Sequence, residues 1–313
     1  MIKEKIIFDT DMDTDCDDVG ALVMLLKYAK EGKIDLLGII NDAPCVGGGP
    51  VCQCLCDYYD YHCPIGVIYD DEYLESETDR YVRYRKHRLT LPDEIYYNRV
   101  IAKMINKTDK DYLPSKVIYR KILAEARDNS VTIIAVGFYT ALEALFKTGP
   151  DEYSELDGYE LFKRKVKRVI SMGRADYPKT DNYNFNYNMD RVGAKTFFDK
   201  CHCPIYVSPD GEDVITGYDF KEKLEEDNPM RLAYRIYNGG DNNGRSSWDL
   251  IATLIVLEPE LDIFNCESHG RVVYHDEDNT VTWADDNMRK DYQITKKIPS
   301  KKMAEILEEI LTR

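Results

Sequence analysis

The sequence predicts an α/β fold, a mostly parallel sheet with flanking helices, and three observations carry that expectation. Short β-branched runs alternate with helical patterns along the chain, as βαβ units require. The first run ends in a dense group of aspartates that leads straight into an apolar helix, the position where α/β proteins gather their ligands. A length of 313 residues is enough to bury a sizeable core.

Strands are expected at KIIF (5–8), IDLLGII (34–40), IGVIY (65–69), VTIIAVG (131–137), VKRVISM (166–172) and CPIYVS (203–208). Between the first two, Val19, Leu22, Val23, Leu26 and Ala29 recur on one helix face, and Gly32 is placed to end that helix. Further helices are expected near 50–61, 116–128, 140–147, 190–200, 229–237, 247–257 and 299–312. RVVYHDEDNTVTWAD (271–285) reads as a late β-hairpin around an Asp/Asn turn that joins the sheet. The charged, tyrosine-rich segment 70–115 interrupts the pattern and is expected to be an insertion covering a site. No repeat or low-complexity linker divides the chain, so one domain over 1–313 is expected.

A formal net charge of −15 argues against nucleic acid or an anionic membrane as partner, because both require a basic footprint. A small neutral ligand or a metal cation suits it better. The opening MIKEKIIFD holds only three consecutive apolar residues, and no stretch approaches the roughly 18 of a membrane span, so a cytoplasmic protein is expected. Nine cysteines, an odd number in a chain this long, read as reduced thiols. The spacing of Cys52, Cys54 and Cys56, with Cys63 and the Cys201-His202-Cys203 run, is unlike that of common structural zinc sites.

The stretch DTDMDTDCDD (9–18) holds six aspartates in ten residues. Two carboxylates about 4 Å apart repel by roughly 4 kcal/mol at an effective dielectric of 20, so converging ones must protonate, splay into water or hold a cation. A helix N-terminus offers Asp17 and Asp18 typically less than about 1 kcal/mol each. An all-oxygen site for Ca²⁺ or Mg²⁺ is the better account. It is not an EF-hand, which needs Gly where Thr14 stands and Glu where Gly20 stands.

Two enzyme patterns fit these residues. Asp11-Met12-Asp13-Thr14 is similar to the D-x-D-x-T start of haloacid-dehalogenase-like phosphatases, which would make Asp11 a phosphoryl acceptor. Asp11-x-Asp13-x-x-x-Asp17-Asp18, followed at once by an apolar helix, resembles the D-x-D-x-x-x-D-D signature of the inosine–uridine-preferring nucleoside hydrolases. Three later stretches extend the second resemblance. VTIIAVGFYTALEAL (131–145) is similar to that family's V-G-P-L-T-N-L-A turn, Met172-Gly173 with Asn184-Phe185-Asn186 and Asp190 to its M-G-G … E-F-N … D segment, and Trp248-Asp249 to its H-D or W-D helix start. The chain departs from the pattern at Thr14-Asp15, Phe138-Tyr139, Ala141, Arg174, Asn184 (for Glu) and Trp248 (where many members have His).

The resemblance implies calcium-dependent hydrolysis of the N-glycosidic bond of a ribonucleoside to free base and ribose, as in purine and pyrimidine salvage. It implies metal ligation by Asp13, Asp18, Asp249 and the Val136 carbonyl, with Asp13 also the catalytic base. Asp17, Asn41, Asn184, Asn186 and Trp248 would contact the substrate, and Asp11 would support the site. Asp9 and Asp15 have no role in the pattern. A homo-oligomer, dimer or tetramer, is usual in that family. Besides the phosphatase, a non-catalytic nucleoside- or ribose-binding protein on the same fold remains an alternative, since the Glu and His are replaced at 184 and 248.

Overall fold

Nine strands form one sheet in the computed structural model, which describes residues 3–44, 46–68 and 89–313. Its central strand is β1 (Glu4–Thr10). On one side lie β2 (Ile34–Asn41), β3 (Ile65–Val67) and β4 (Leu113–Pro114), and on the other β5 (Val131–Ala135), β6 (Val166–Ser171) and β7 (Ile205–Val207), all parallel. Two short strands, β8 (Ile215–Thr216) and β9 (Arg245–Ser246), pair apart from this sheet. The chain runs outward from β1 to β4 and then returns to β5 on β1's other flank. Strand order therefore reverses between β1 and β5, and a crevice opens at their carboxyl ends.

The helices are α1 (Asp17–Lys30), α2 (Gly48–Tyr59), α3 (Tyr97–Ile105), α4 (Ser115–Glu125), α5 (Thr140–Phe146), α6 (Gly158–Lys165), α7 (Phe185–Met189), α8 (Arg191–Lys200), α9 (Phe220–Lys223), α10 (Pro229–Tyr237), α11 (Trp248–Leu257) and α12 (Ser300–Thr312). They cover both faces of the sheet. Ile6 and Phe8 of β1 enter one core with α1, α2, α10, α11 and α12, while Ile7 enters the other with α4, α5, α6 and α8. That division follows from the period-two alternation of a strand. Nearly all of α1 is buried, because it packs on α2, α10 and α11 as well as on the sheet. It ends at Gly32, whose φ of +72° supplies the left-handed turn expected of it.

The late hairpin forms as β11 (Arg271–His275) and β12 (Thr280–Ala284), but it makes its own two-stranded sheet. It was expected to join the main one. The edge beside β7 is taken instead by β13 (Tyr292–Lys296), with β10 (Phe264–Glu267) antiparallel beyond it, and the hairpin packs on α8. Of the expected insertion, residues 70–88 lie outside the described residues. The described remainder reaches the aspartate loop: Tyr97 donates to the Asp15 carbonyl at 2.7 Å and Asn98 to the Met12 carbonyl at 2.9 Å. No described helix is long and apolar enough to cross a membrane.

The crevice depends on a close approach at Gly137, just beyond β5. A Cβ there would press on the Asp11 backbone nitrogen and the Asp42 carboxylate and lie 2.7 Å from the Thr10 carbonyl carbon. Gly137→Ala is expected to cost about 1–3 kcal/mol, the usual penalty for overpacking, as measured by urea denaturation.

Candidate functional site

β1 ends at Thr10 and α1 begins at Asp17, so the residues between them form the lip of the crevice. Asp17 and Asp18 fall in the first turn of α1, and Asp249 in the first turn of α11. Because α1 and α11 pack together, their N-termini bring all three carboxylates to one point. One oxygen from each lies within 4.8 Å of the others, and all three residues are buried. At that separation each pair of charges repels by at least about 3 kcal/mol at an effective dielectric of 20, more than two helix dipoles offset.

Few protons are on hand to relieve this. The Thr10 hydroxyl donates to Asp18 Oδ1, and the Asp249 backbone N–H donates to Asp17 Oδ2 at 3.1 Å. Among the described residues Asp18 Oδ2 and Asp249 Oδ1 are buried with no hydrogen-bond partner. Burial, reinforced by the neighbouring carboxylates, pushes all three acids well above the ordinary carboxylate range. Orphaned, converging, all-oxygen donors of this kind fit a hard divalent cation.

The other aspartates divide into distinct environments. Asp11 lines the cavity, is held by the Thr14 hydroxyl, and is raised to about 7 by burial. Asp13 is buried but does not line the cavity and does not join the three-carboxylate group. A tight turn explains this: the Thr14 N–H donates to the Asp11 carbonyl at 3.1 Å, and Asp13 sits inside that turn. Asp15 is held by the Arg245 guanidinium, with both carboxylate oxygens 2.8 Å from Nε. Below the crevice, Asp9 and Asp42 form a buried pair in which burial lifts Asp9 to about 7 and Asp42 well above its usual range. Tyr119 donates its hydroxyl hydrogen to Asp9.

The opposite wall comes from the segments after β6 and around α7, and the cavity measures about 510 Å³. Asn184 and Asn186 both line it. Asn184 spends its amide on the backbone of the adjoining loop, accepting from Arg174 N–H and donating to the carbonyls of Arg174 at 3.2 Å and Asn182 at 2.9 Å. Asn186 donates to the Val136 carbonyl, which the resemblance assigned to the metal. Val136 and Asn41 do not line the cavity. Asn41 turns its amide to the Ala43 carbonyl at 2.8 Å and lies against Gly48, which keeps it behind the wall. Trp248 does line the cavity, and its indole N–H donates to Asp210 at 2.8 Å.

Thus the structure brings together Asp17, Asp18, Asp249, Asn184, Asn186 and Trp248, and it leaves Asp13, Val136 and Asn41 outside the cavity lining. Sequence reasoning missed Asp11 as the carboxylate facing the cavity, and it missed Arg245 and Asp15 as a pair. The strand end was the usable signal for Asp11. Counting from the last residue of β1 makes Asp11 the first carboxylate beyond the sheet, whereas the resemblance singles out Asp13.

No family model and no curated protein matches the sequence. Solved structures do. A plant nucleoside hydrolase is 17% identical over 99% of both chains with a TM-score of 0.67, and the inosine–uridine preferring nucleoside hydrolase of Bacillus anthracis is 15% identical over 99% of both chains, also at 0.67. The chain has the nucleoside hydrolase fold. The type III effector protein XopQ, complexed with adenosine diphosphate ribose, is 11% identical over 100% of this chain and 94% of its own, with a TM-score of 0.72. In this fold the three-carboxylate group sits at the strand-order reversal, where the expected architecture puts a ligand.

The raised acids set a pH dependence for the cation-free protein. Carboxylates whose folded pKa exceeds the unfolded value of about 3.9 take up protons on folding, so their contribution to stability is full at low pH and is lost as pH rises through the folded value. For Asp9 and Asp11 that value is about 7. With chelator present, the thermal midpoint is expected to fall as pH rises from about 5 to 7.5, and a divalent cation is expected to reverse the fall at pH 7.5. Melting curves at several pH values, with and without cation, measure this.

Proposed function

We propose that the protein hydrolyses the N-glycosidic bond of a ribonucleoside, releasing free base and ribose, with a calcium ion held by Asp17, Asp18 and Asp249. The observation that carries this reading is the group of three buried, converging carboxylates at the floor of a 510 Å³ cavity in a chain with the nucleoside hydrolase fold. A cavity of that size suits a small organic ligand, and the acidic lining suits a sugar whose ring becomes cationic as the bond to the base breaks.

When bound, the cation lowers the pKa of water and balances the crowded carboxylates. The chain's own groups do the rest. Asp11, oriented by the Thr14 hydroxyl, takes the proton from the attacking water, the role that the resemblance gives to Asp13. Asn184 holds the Met172–Arg174 loop in place, Asn186 forms the facing wall, and Trp248, its N–H committed to Asp210, offers a ring face to the base.

A nucleoside panel assayed for free base and ribose in the presence of Ca²⁺ tests the reading, with chelator as control. Cation-dependent base release is expected. Asp249→Asn should lower kcat/KM by about 10²-fold or more, and Asp13→Asn by less than about tenfold, as for a group remote from the transition state. Tight nucleoside binding without turnover would support the binding-protein alternative, and phosphate release from phosphate esters the D-x-D-x-T phosphatase. Arg174 also lines the cavity, and XopQ was solved with adenosine diphosphate ribose, so phosphorylated ribosides belong in the same panel.

A further inference from the structure

Hydrolysis of an N-glycoside places two demands on a site: charge accumulates positively on the sugar and negatively on the departing base. The carboxylates address the first. For the second, the described cavity lining offers no histidine, and its cationic side chains among the described residues are Arg174 and Arg245. Arg174 reaches out to Asp176 at 3.3 Å near the surface. Arg245 is held in a different way.

Arg245 lies in β9, three residues before Trp248. Its Nε donates to both oxygens of Asp15 at 2.8 Å, and Nη2 donates to Asp15 Oδ2 as well. The guanidinium carbon stands 5.2 Å from the ring centroid of Trp248 and 5.4 Å from that of Tyr237, so the group is gripped at its edge and on its faces. Its anchor is fixed in turn. The Asp15 carboxylate accepts the Cys16 N–H at 2.6 Å, the Asp15 carbonyl accepts the Tyr97 hydroxyl at 2.7 Å, and the Thr14 carbonyl accepts the Tyr237 hydroxyl at 3.1 Å. Tyr237 is itself set by α10, which starts at Pro229 under an Asn228 cap.

Among the described residues Nη1 donates to no protein acceptor, and Arg245, Asp15, Tyr237 and Trp248 all line the cavity. The side chain keeps 32% of its surface exposed. An ion pair serving only to close the loop would be complete with Asp15. Here a pre-oriented cationic donor is left over on a side chain that lines the cavity together with Trp248.

We propose that Arg245 is the catalytic residue for the leaving group: its Nη1 hydrogen-bonds the departing base and offsets the negative charge the base acquires. Asp15 is its positioning residue. The inference rests on the reading of the site as an N-riboside hydrolase. In the reaction the C1′–N bond breaks with its electron pair passing to the base, and the water oxygen bonds to C1′. The proton the water gives up reaches the base by way of Asp11 and solvent. Arginine remains charged throughout, so it supplies a hydrogen bond and a positive field rather than a proton. This assigns a function to a site with tryptophan, not histidine, before its last aspartate.

The test compares two substrates with different leaving groups: a ribonucleoside the wild type cleaves, and p-nitrophenyl β-D-ribofuranoside, whose phenolate is a stable anion without assistance. Arg245→Gln is expected to lose about 10²–10³-fold in kcat/KM on the nucleoside, the usual cost of one charge-stabilising donor, and less than about tenfold on the p-nitrophenyl riboside. Asp15→Asn should show the same bias with a smaller loss. Arg245→Lys, which keeps the charge but not the fork, should fall between wild type and Arg245→Gln, and it keeps the test open if the glutamine variant fails to fold. Equal losses on the two substrates would make the pair structural and overturn the assignment while leaving the proposed function standing. A wild type that cleaves neither substrate would overturn both.

Discussion

Three carboxylates that cannot all be charged in one small volume govern the upper half of this molecule. Asp17, Asp18 and Asp249 come from two helices separated by more than 200 residues of sequence, and they are buried within 4.8 Å of one another. Their mutual repulsion would drive the two helix N-termini apart unless it were neutralised. Packing between α1 and α11 holds the helices together regardless, with α1 apolar on nearly every side. The core thus supplies the force that confines the charges, and the confined charges create the demand for a cation. Stability and ligand binding are two sides of the same arrangement.

The rest of the site follows from where that confinement occurs. Strand order reverses between β1 and β5, and the segments after β1, β6 and β7 line the crevice that opens there. Gly137 lets the β5 loop approach the backbone at Asp11, which leaves Asp11 facing the cavity. Arg245, paired with Asp15, carries positive charge into a cavity whose floor is acidic. The site is therefore graded, with carboxylates at its floor and a fixed cation at its side.

Much of the sheet was legible in the sequence because its strands are β-branched runs with clear boundaries, and because α1 repeats apolar residues at helical spacing. β4 and β9 are two residues long and β10 is only four, too short to leave a periodic trace. The hairpin was readable as a pair of strands, but its partner was not, since β13 competes for the same edge through contacts distant in sequence. For the site, the presence of an acidic cluster was readable and the direction of each carboxylate was not. The aspartate cluster announced a cation, and Trp248-Asp249 marked a helix start, yet the turn closed by Thr14 on Asp11 decided which aspartates face inward. The resemblance places Asp13 at the metal and the reacting water, whereas Asp11 is the one of the two that lines the cavity. The Asp15–Arg245 pair joins residues 230 positions apart, which no local pattern reveals.

Uptake of an ion by the three-carboxylate group is the property on which the site's chemistry turns. Calorimetric titration of chelator-treated protein with Ca²⁺ at pH 7 in two buffers of different ionisation enthalpy measures both the ion and any protons it displaces. One ion bound per chain with net proton release, both lost in Asp249→Asn, is the predicted result. Absence of binding at millimolar Ca²⁺, or undiminished binding in Asp249→Asn, would contradict it.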